Sequence, residues 1–180
     1  MRVSILRGVL WTLVLGLMVV GDVQAAGPGG STAIRGRGGF SKTVTTTVNT
    51  ATLEPFDTTT EPNGSGTARY TVVTVDISIF GRTWSSTHRT LSVTASGLSD
   101  PDGTQLALEL NVDPTTDFGS ATVSSGSAAF NLSTKRGDVI PQIVDGDHLD
   151  VILAGSSPST VFLVHGDFGP PVTTVTTCGR

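Results

Sequence analysis

The sequence holds a single cysteine, Cys178, in 180 residues. No disulfide can form within one chain, so packing must hold the fold. Charge is also scarce: Asp, Glu, Lys and Arg make up 14% of the chain, and Lys42 and Lys135 are the two lysines. Nonspecific nucleic-acid binding needs a basic surface that releases counterions, and this composition argues against it. Helical periodicity is missing as well. One continuous apolar run, Gly8 to Val20, stands apart from the rest.

Arg2 and Arg7 precede that run, which ends at Gly21-Asp22 and Val23-Gln24-Ala25. A basic start, a short apolar centre and a small-residue end describe a secretory signal peptide over residues 1–25. The run falls short of the roughly 20 apolar residues that a membrane crossing needs. Cleavage is expected after Ala25, giving a secreted or periplasmic protein with no membrane span. The remaining chain carries nine basic and fourteen acidic residues, a formal net charge of −5. Residues 26–41, rich in Gly and Arg, are expected to form a flexible leader. Its Arg35-Gly36-Arg37-Gly38-Gly39 stretch could touch RNA, but export favours a solvated spacer.

From residue 42 to 168 the apolar pattern has period two, and Thr and Val prevail where a helix would use Ala, Leu, Glu and Lys. Leu106, Leu108, Leu110 and Val112 alternate with Ala107, Glu109 and Asn111, placing Glu109 on an outward face. Leu91, Val93 and Ala95 alternate just before it. Ser99-Asp100-Pro101-Asp102-Gly103 has turn chemistry, so these two strands are expected to form a hairpin. Ala128, Phe130 and Leu132 mark a further strand, and Leu149, Val151 and Leu153 another. Thr160 to Phe168 is apolar on both sides, as a central strand would be. Thr67 to Ile79 puts Val73, Val75, Ile77 and Ile79 on one face and Tyr70, Val72 and Thr74 on the other. Thr43 to Leu53 is a weaker strand. Seven or eight strands in meander order predict an all-β antiparallel β-sandwich. Pro170 and Pro171 should end the last strand near Phe168 and leave residues 169–180 as a Thr/Pro-rich tail.

Three further stretches stand out: Gly126-Ser127-Ala128-Ala129-Phe130-Asn131-Leu132, then Gly137 and Pro141 followed by Gly146-Asp147-His148-Leu149-Asp150-Val151, and lastly Val164-His165-Gly166-Asp167-Phe168. Together they resemble the closing strands of small Ig-like β-sandwich domains of exported bacterial proteins. The resemblance implies an Ig-like architecture over Gly126 to Phe168 and carries no catalytic residue with it.

Three histidines, His88, His148 and His165, could in principle meet on a metal, but none stands at a short ligand interval from another, so they are expected to be unrelated. The aspartates cluster in loops, Asp100 with Asp102, Asp113 with Asp117, and Asp145 with Asp147 and Asp150. Calcium favours such loop oxygens, and Asp100, Asp102, Asp145, Asp147 and Asp150 are the candidate ligands. Asp-Pro-Asp-Gly and Asp-Gly-Asp are equally turn sequences, and turn chemistry weighs more. No Gly-x-Ser-x-Gly elbow occurs, and Glu54, Glu61 and Glu109 give no distinguished pair of carboxylates for glycosidase work. Trp84 is expected to cap the core. Cys178 offers a route to a disulfide-linked dimer.

The pattern favours an exported, non-catalytic module of the cell envelope or extracellular space, binding a protein or carbohydrate through loops or edge strands. The alternative is a calcium- or zinc-dependent binding protein or hydrolase using the loop aspartates or the histidines. An exported inhibitor of a hydrolase is a third class, for which no exposed loop stands out.

Overall fold

The computed structural model describes residues 39–111, 118–155 and 161–179. Its nine strands are β1 (Phe40–Pro55), β2 (Ser65–Ile79), β3 (Arg82–Ser96), β4 (Gln105–Leu110), β5 (Phe118–Thr122), β6 (Ser127–Ser133), β7 (His148–Leu153), β8 (Phe162–Asp167) and β9 (Val172–Gly179). A 3-10 turn, Thr134–Arg136, follows β6. All ladders are antiparallel, in the order β5-β4-β7-β8-β1-β2-β3-β6, with β9 added on β1. The all-β antiparallel expectation holds, and the described residues form nine strands where seven or eight are expected. Gly119 of β5 lies against the Leu132 side chain of β6, so the two ends of the path nearly meet.

Strand pairing differs from the expected meander. Leu91–Ser96 and Leu106–Leu110 are not a hairpin: β3 pairs with β2 and β6, whereas β4 pairs with β5 and β7. The Ser99–Gly103 turn instead carries the chain between the two groups of strands. Turn chemistry fixes a change of direction but not the strand that pairs after it. The true hairpin is β2–β3, closed by Phe80 and Gly81 at φ +50° and +77°, the paired positive angles of a two-residue turn.

Leu53, Tyr70, Leu91, Val93 and Phe130 from one group of strands pack against Leu106, Leu108, Leu149, Val151 and Val164 from the other. Each set comes from alternate positions, so period two is what fills the core. β4 and β7 are buried on both faces, since Ala107, Glu109, Asp150 and Ile152 on the side away from this core are shielded too.

Two expectations at the chain ends are corrected. Phe40 and Ser41 belong to β1 rather than to a leader. Residues 172–179 form β9, in register with β1 from Ser41↔Gly179 to Val48↔Val172. The prolines do interrupt β1's edge, which serves β8 at Glu54 and Pro55 and then β9 beyond Gly169. A strand resumes because Val172–Thr177 is wholly β-branched. Threonine hydroxyls also meet across the ladder, Thr47 to Thr173 at 3.1 Å. Trp84 is 53% exposed and caps no core. It lies near the tip of the β2–β3 hairpin, where strands run beyond the core. Residues 1–25, expected to be a signal peptide, most of the expected leader, and Asp113 and Asp117 lie outside the described residues. Among the described residues no helix is long and apolar enough to cross a membrane.

Candidate metal centre

β7 and β8 each carry His-x-Asp, as His148-Leu149-Asp150 and His165-Gly166-Asp167. In a strand, residues two apart share a face, so each triplet points both polar side chains to one side. The antiparallel register sets His148 opposite Asp167 and Asp150 opposite His165. Leu149 and Gly166, between them, face the core. On the outer side a second row forms across four strands: Glu109 of β4, Asp150, His165 and Glu54 of β1 occupy directly paired positions.

Gly166 sets how closely this row can assemble. A Cβ there would collide with the Thr52 carbonyl and crowd Leu53, so glycine lets β8 lie tight against β1. On the other side of β7, Asn111 accepts the His148 backbone N–H through Oδ1 at 2.9 Å and donates to Asp147 Oδ1 at 3.0 Å. Asp147 also accepts the Val144 N–H at 2.7 Å, which fixes the turn leading into β7.

His148 Nδ1 lies 2.5 Å from Asp167 Oδ1. That carboxylate turns the other ring nitrogen, Nε2, towards His165 Nδ1 at 3.3 Å and Asp150 Oδ1 at 3.2 Å. The two rings meet edge to face at 5.2 Å. Phe56 stacks on Phe162 and meets His165 edge-on, walling one side of the pair with aromatic surface. The Asp150 side chain is 1% exposed, and neither of its oxygens has a hydrogen-bond partner. Its approach to His148 is an ion-pair distance without hydrogen-bond alignment.

Burial pushes the Asp150 carboxyl above the ordinary carboxylate range, against the attraction of His148 and His165. Burial works to lower the His148 pKa, but the hydrogen bond to Asp167 and the charges of Asp150 and Asp167 outweigh it, and the net shift is upward. A buried carboxylate without hydrogen bonds is costly, and a cation beside it removes the cost.

The donor set fits a transition-metal ion. One ligand atom each from His148, Asp150 and His165 lies within 4.8 Å of the others. Two imidazoles and a carboxylate suit zinc and its neighbours better than calcium, which wants six to eight oxygens. Asp167 behind His148 supplies the carboxylate–histidine pairing that orients metal-bound imidazoles.

The other candidates fall elsewhere. His88 is on β3, with Nε2 3.4 Å from Ser86 Oγ, and stands outside the cluster. Asp102 accepts the Ser125 N–H at 2.6 Å, so it serves a turn as Asp147 does. Asp145 is exposed in the turn before β7. Asp100 sits beside Glu61, whose carboxylate accepts the Ser99 N–H and hydroxyl at 2.8 and 2.7 Å. Of the five aspartates, Asp150 is the one that joins the histidines, and two of the three histidines expected to be unrelated converge. Asp167 was not anticipated. The repeated His-x-Asp in adjacent strands is the signal that marks both.

No protein-family model, curated protein or solved structure matches the chain.

Proposed function

We propose that the protein is an exported β-module that binds a divalent transition-metal ion, zinc foremost, through His148 Nε2, the Asp150 carboxylate and His165 Nδ1. The observation that carries this reading is the Asp150 carboxylate, shielded from water, without a hydrogen bond, and facing two imidazole nitrogens. Three protein ligands leave a fourth position for water or a ligand donor atom. Export rests on the N-terminal signal pattern, and an Ig-like relationship on the Gly126–Phe168 motifs. A metal-binding role replaces calcium binding by the loop aspartates as the favoured form of the metal-dependent alternative.

Titration calorimetry of the chelator-treated protein with zinc, copper(II), nickel, manganese and calcium tests this. Zinc should bind and raise the melting temperature by several degrees, because a ligand selective for the folded state stabilises it. Asp150→Ala and His165→Ala should abolish both effects, while His88→Ala should leave them intact. Absence of binding by every metal, or equal loss in His88→Ala, overturns the assignment.

A further inference from the structure

β1, β2 and β3 run well past the core. Their base packs inward with Ala51, Leu53, Ala68, Tyr70, Leu91 and Val93. Beyond Asn49, Val72 and Arg89 the same strands, joined by β9, continue as a four-stranded wing. The ladder from Phe40↔Ile79 to Leu53↔Gly66 is unbroken, and so is that from Ile79↔Arg82 to Ser65↔Ser96. With no bulge, a side chain's face follows from its position alone. Continuing the core side outward gives Thr47, Thr45 and Thr43 on β1, and Thr74, Asp76 and Ser78 on β2. That side of the wing is polar apart from Val175 of β9, which pairs with Thr45.

The opposite side has an apolar centre, with Lys42 and Thr46 of β1, Ser86 and His88 of β3 and Thr174 and Thr176 of β9 set around and among it. It carries Val48, Val44 and Phe40 on β1 and Val73, Val75, Ile77 and Ile79 on β2, with Trp84 paired to Ile77 and Val172 paired to Val48. Phe40, Trp84 and Val172 are 45%, 53% and 70% exposed, and the rest are half-buried. None of them belongs to the core or packs against it. The amphipathic pattern therefore reverses along continuous strands, and the wing needs a second apolar environment on the side facing away from the core.

We infer that this outer wing face is a self-association surface on which a second copy of the chain packs, face to face. Four strands about 4.8 Å apart and about eight residues long give a flat area of roughly 500 Å². Side-chain relief raises the accessible surface above that figure, towards the ~800 Å² per partner of standard interfaces. Between Lys42 and Arg82 at its tip and Arg69 at its base the face has no charged residue, and His88 is its sole titratable side chain other than the β9 thiol. A two-fold pair of such faces buries like on like, as the two layers of a sandwich do. The surface shares no residue with the metal site, so the two readings fail separately.

Sedimentation of the protein as recovered from expressing cells, under reducing conditions so that Cys178 cannot crosslink, tests the inference. A concentration-dependent dimer is expected, weakened about tenfold or more by Val75→Thr with Ile77→Thr, which keep β-branched side chains. Ile77→Lys should give a monomer with an unchanged far-ultraviolet spectrum. Thr45→Lys on the polar side should still dimerise. A wild-type monomer at about 100 µM overturns the inference, since interfaces of this class associate at micromolar levels or tighter. So does a dimer that survives the threonine pair. A monomer that instead co-floats with phosphatidylglycerol vesicles also overturns it, and assigns the face to a lipid surface.

Discussion

The base, meaning the inner ends of β1, β2 and β3 with the strands and loops that close the core against them, and the wing, the outer ends of the same three strands, use nearly the same residue types, yet they are built for different surroundings. In the base, alternate residues vanish into a core shared with β4, β7 and β8. In the wing both faces are open to the extent that the described residues define them, and the apolar row has changed sides. The comparison teaches that period two gives strand and face but not the identity of the covering layer. Pattern alone makes Val73, Val75, Ile77 and Ile79 look like core, and it is register to Leu91 and Phe130 that shows they are not.

The sharpest way to break the comparison is to truncate equivalent apolar side chains in the two halves. Phe130→Ala in the base should cost about 3–5 kcal/mol, because a large buried ring is lost and its cavity collapses only in part. Ile77→Ala in the wing should cost less than about 1 kcal/mol in the monomer, where little packing is removed. Urea unfolding at low protein concentration measures both. Equal losses would mean that the wing is as tightly packed as the base. Gly166→Ala comes next. Its new methyl group meets the Thr52 carbonyl, so β8 must move off β1, at a cost of roughly 2 kcal/mol. Because His165 and Asp167 move with β8, zinc affinity should fall in calorimetry although no ligand has been changed.

The base also buries charge on its outer side, and the wing does not. Asp150→Asn removes a carboxylate that burial disfavours, so the metal-free variant should gain roughly 1 kcal/mol near neutral pH while losing zinc binding. A gain in stability at the expense of binding is the mark of a functional group. The pH dependence has a fixed sign. Below about pH 3.8, Asp150 is protonated folded or unfolded and contributes nothing; as pH climbs through its raised folded pKa, stability falls. His148 contributes fully below its ordinary value of 6.5, and that contribution is lost as pH rises through its own raised folded pKa. Both groups act in one direction, so the melting temperature in chelator should decline from mildly acidic to alkaline pH. A flat profile would contradict the burial of Asp150.

Much of the base was legible. The rows Leu106-Leu108-Leu110 and Leu149-Val151-Leu153 face the core as alternation requires, and Thr160–Phe168 contains the central strand β8. Glu109 does point away from the core, but it is buried there, because β4 is covered on both faces. Pairing partners were not legible. The Asp-Pro-Asp-Gly turn looked like a hairpin loop since loop chemistry carries no record of which strand follows alongside. β9 was missed because Val172–Thr177 places Thr and Val without alternation, as a strand open on both faces can. The histidines were missed for a related reason: 17 residues separate His148 from His165, and only antiparallel register turns that interval into contact. Two His-x-Asp triplets on neighbouring strands encode that register by charge, each imidazole opposite the other triplet's carboxylate.

The smallest effect concerns a second carboxylate of the base. Burial, with the neighbouring Glu61 adding to it, raises the Asp100 pKa, and its Oδ2 has no hydrogen bond. Glu61 is satisfied by Ser99, so the strain of the pair falls on Asp100. Asp100→Asn should therefore stabilise the protein by about a few tenths of a kcal/mol at neutral pH, the scale of a partly screened charge. The gain should shrink as pH falls through the folded Asp100 pKa and vanish below about 3.8, where Asp100 is neutral in both states. Zinc binding should not change. If Asp100→Asn weakened zinc binding as Asp150→Asn does, the loop aspartates would belong to the metal site after all, and the separation of turn from ligand would be wrong.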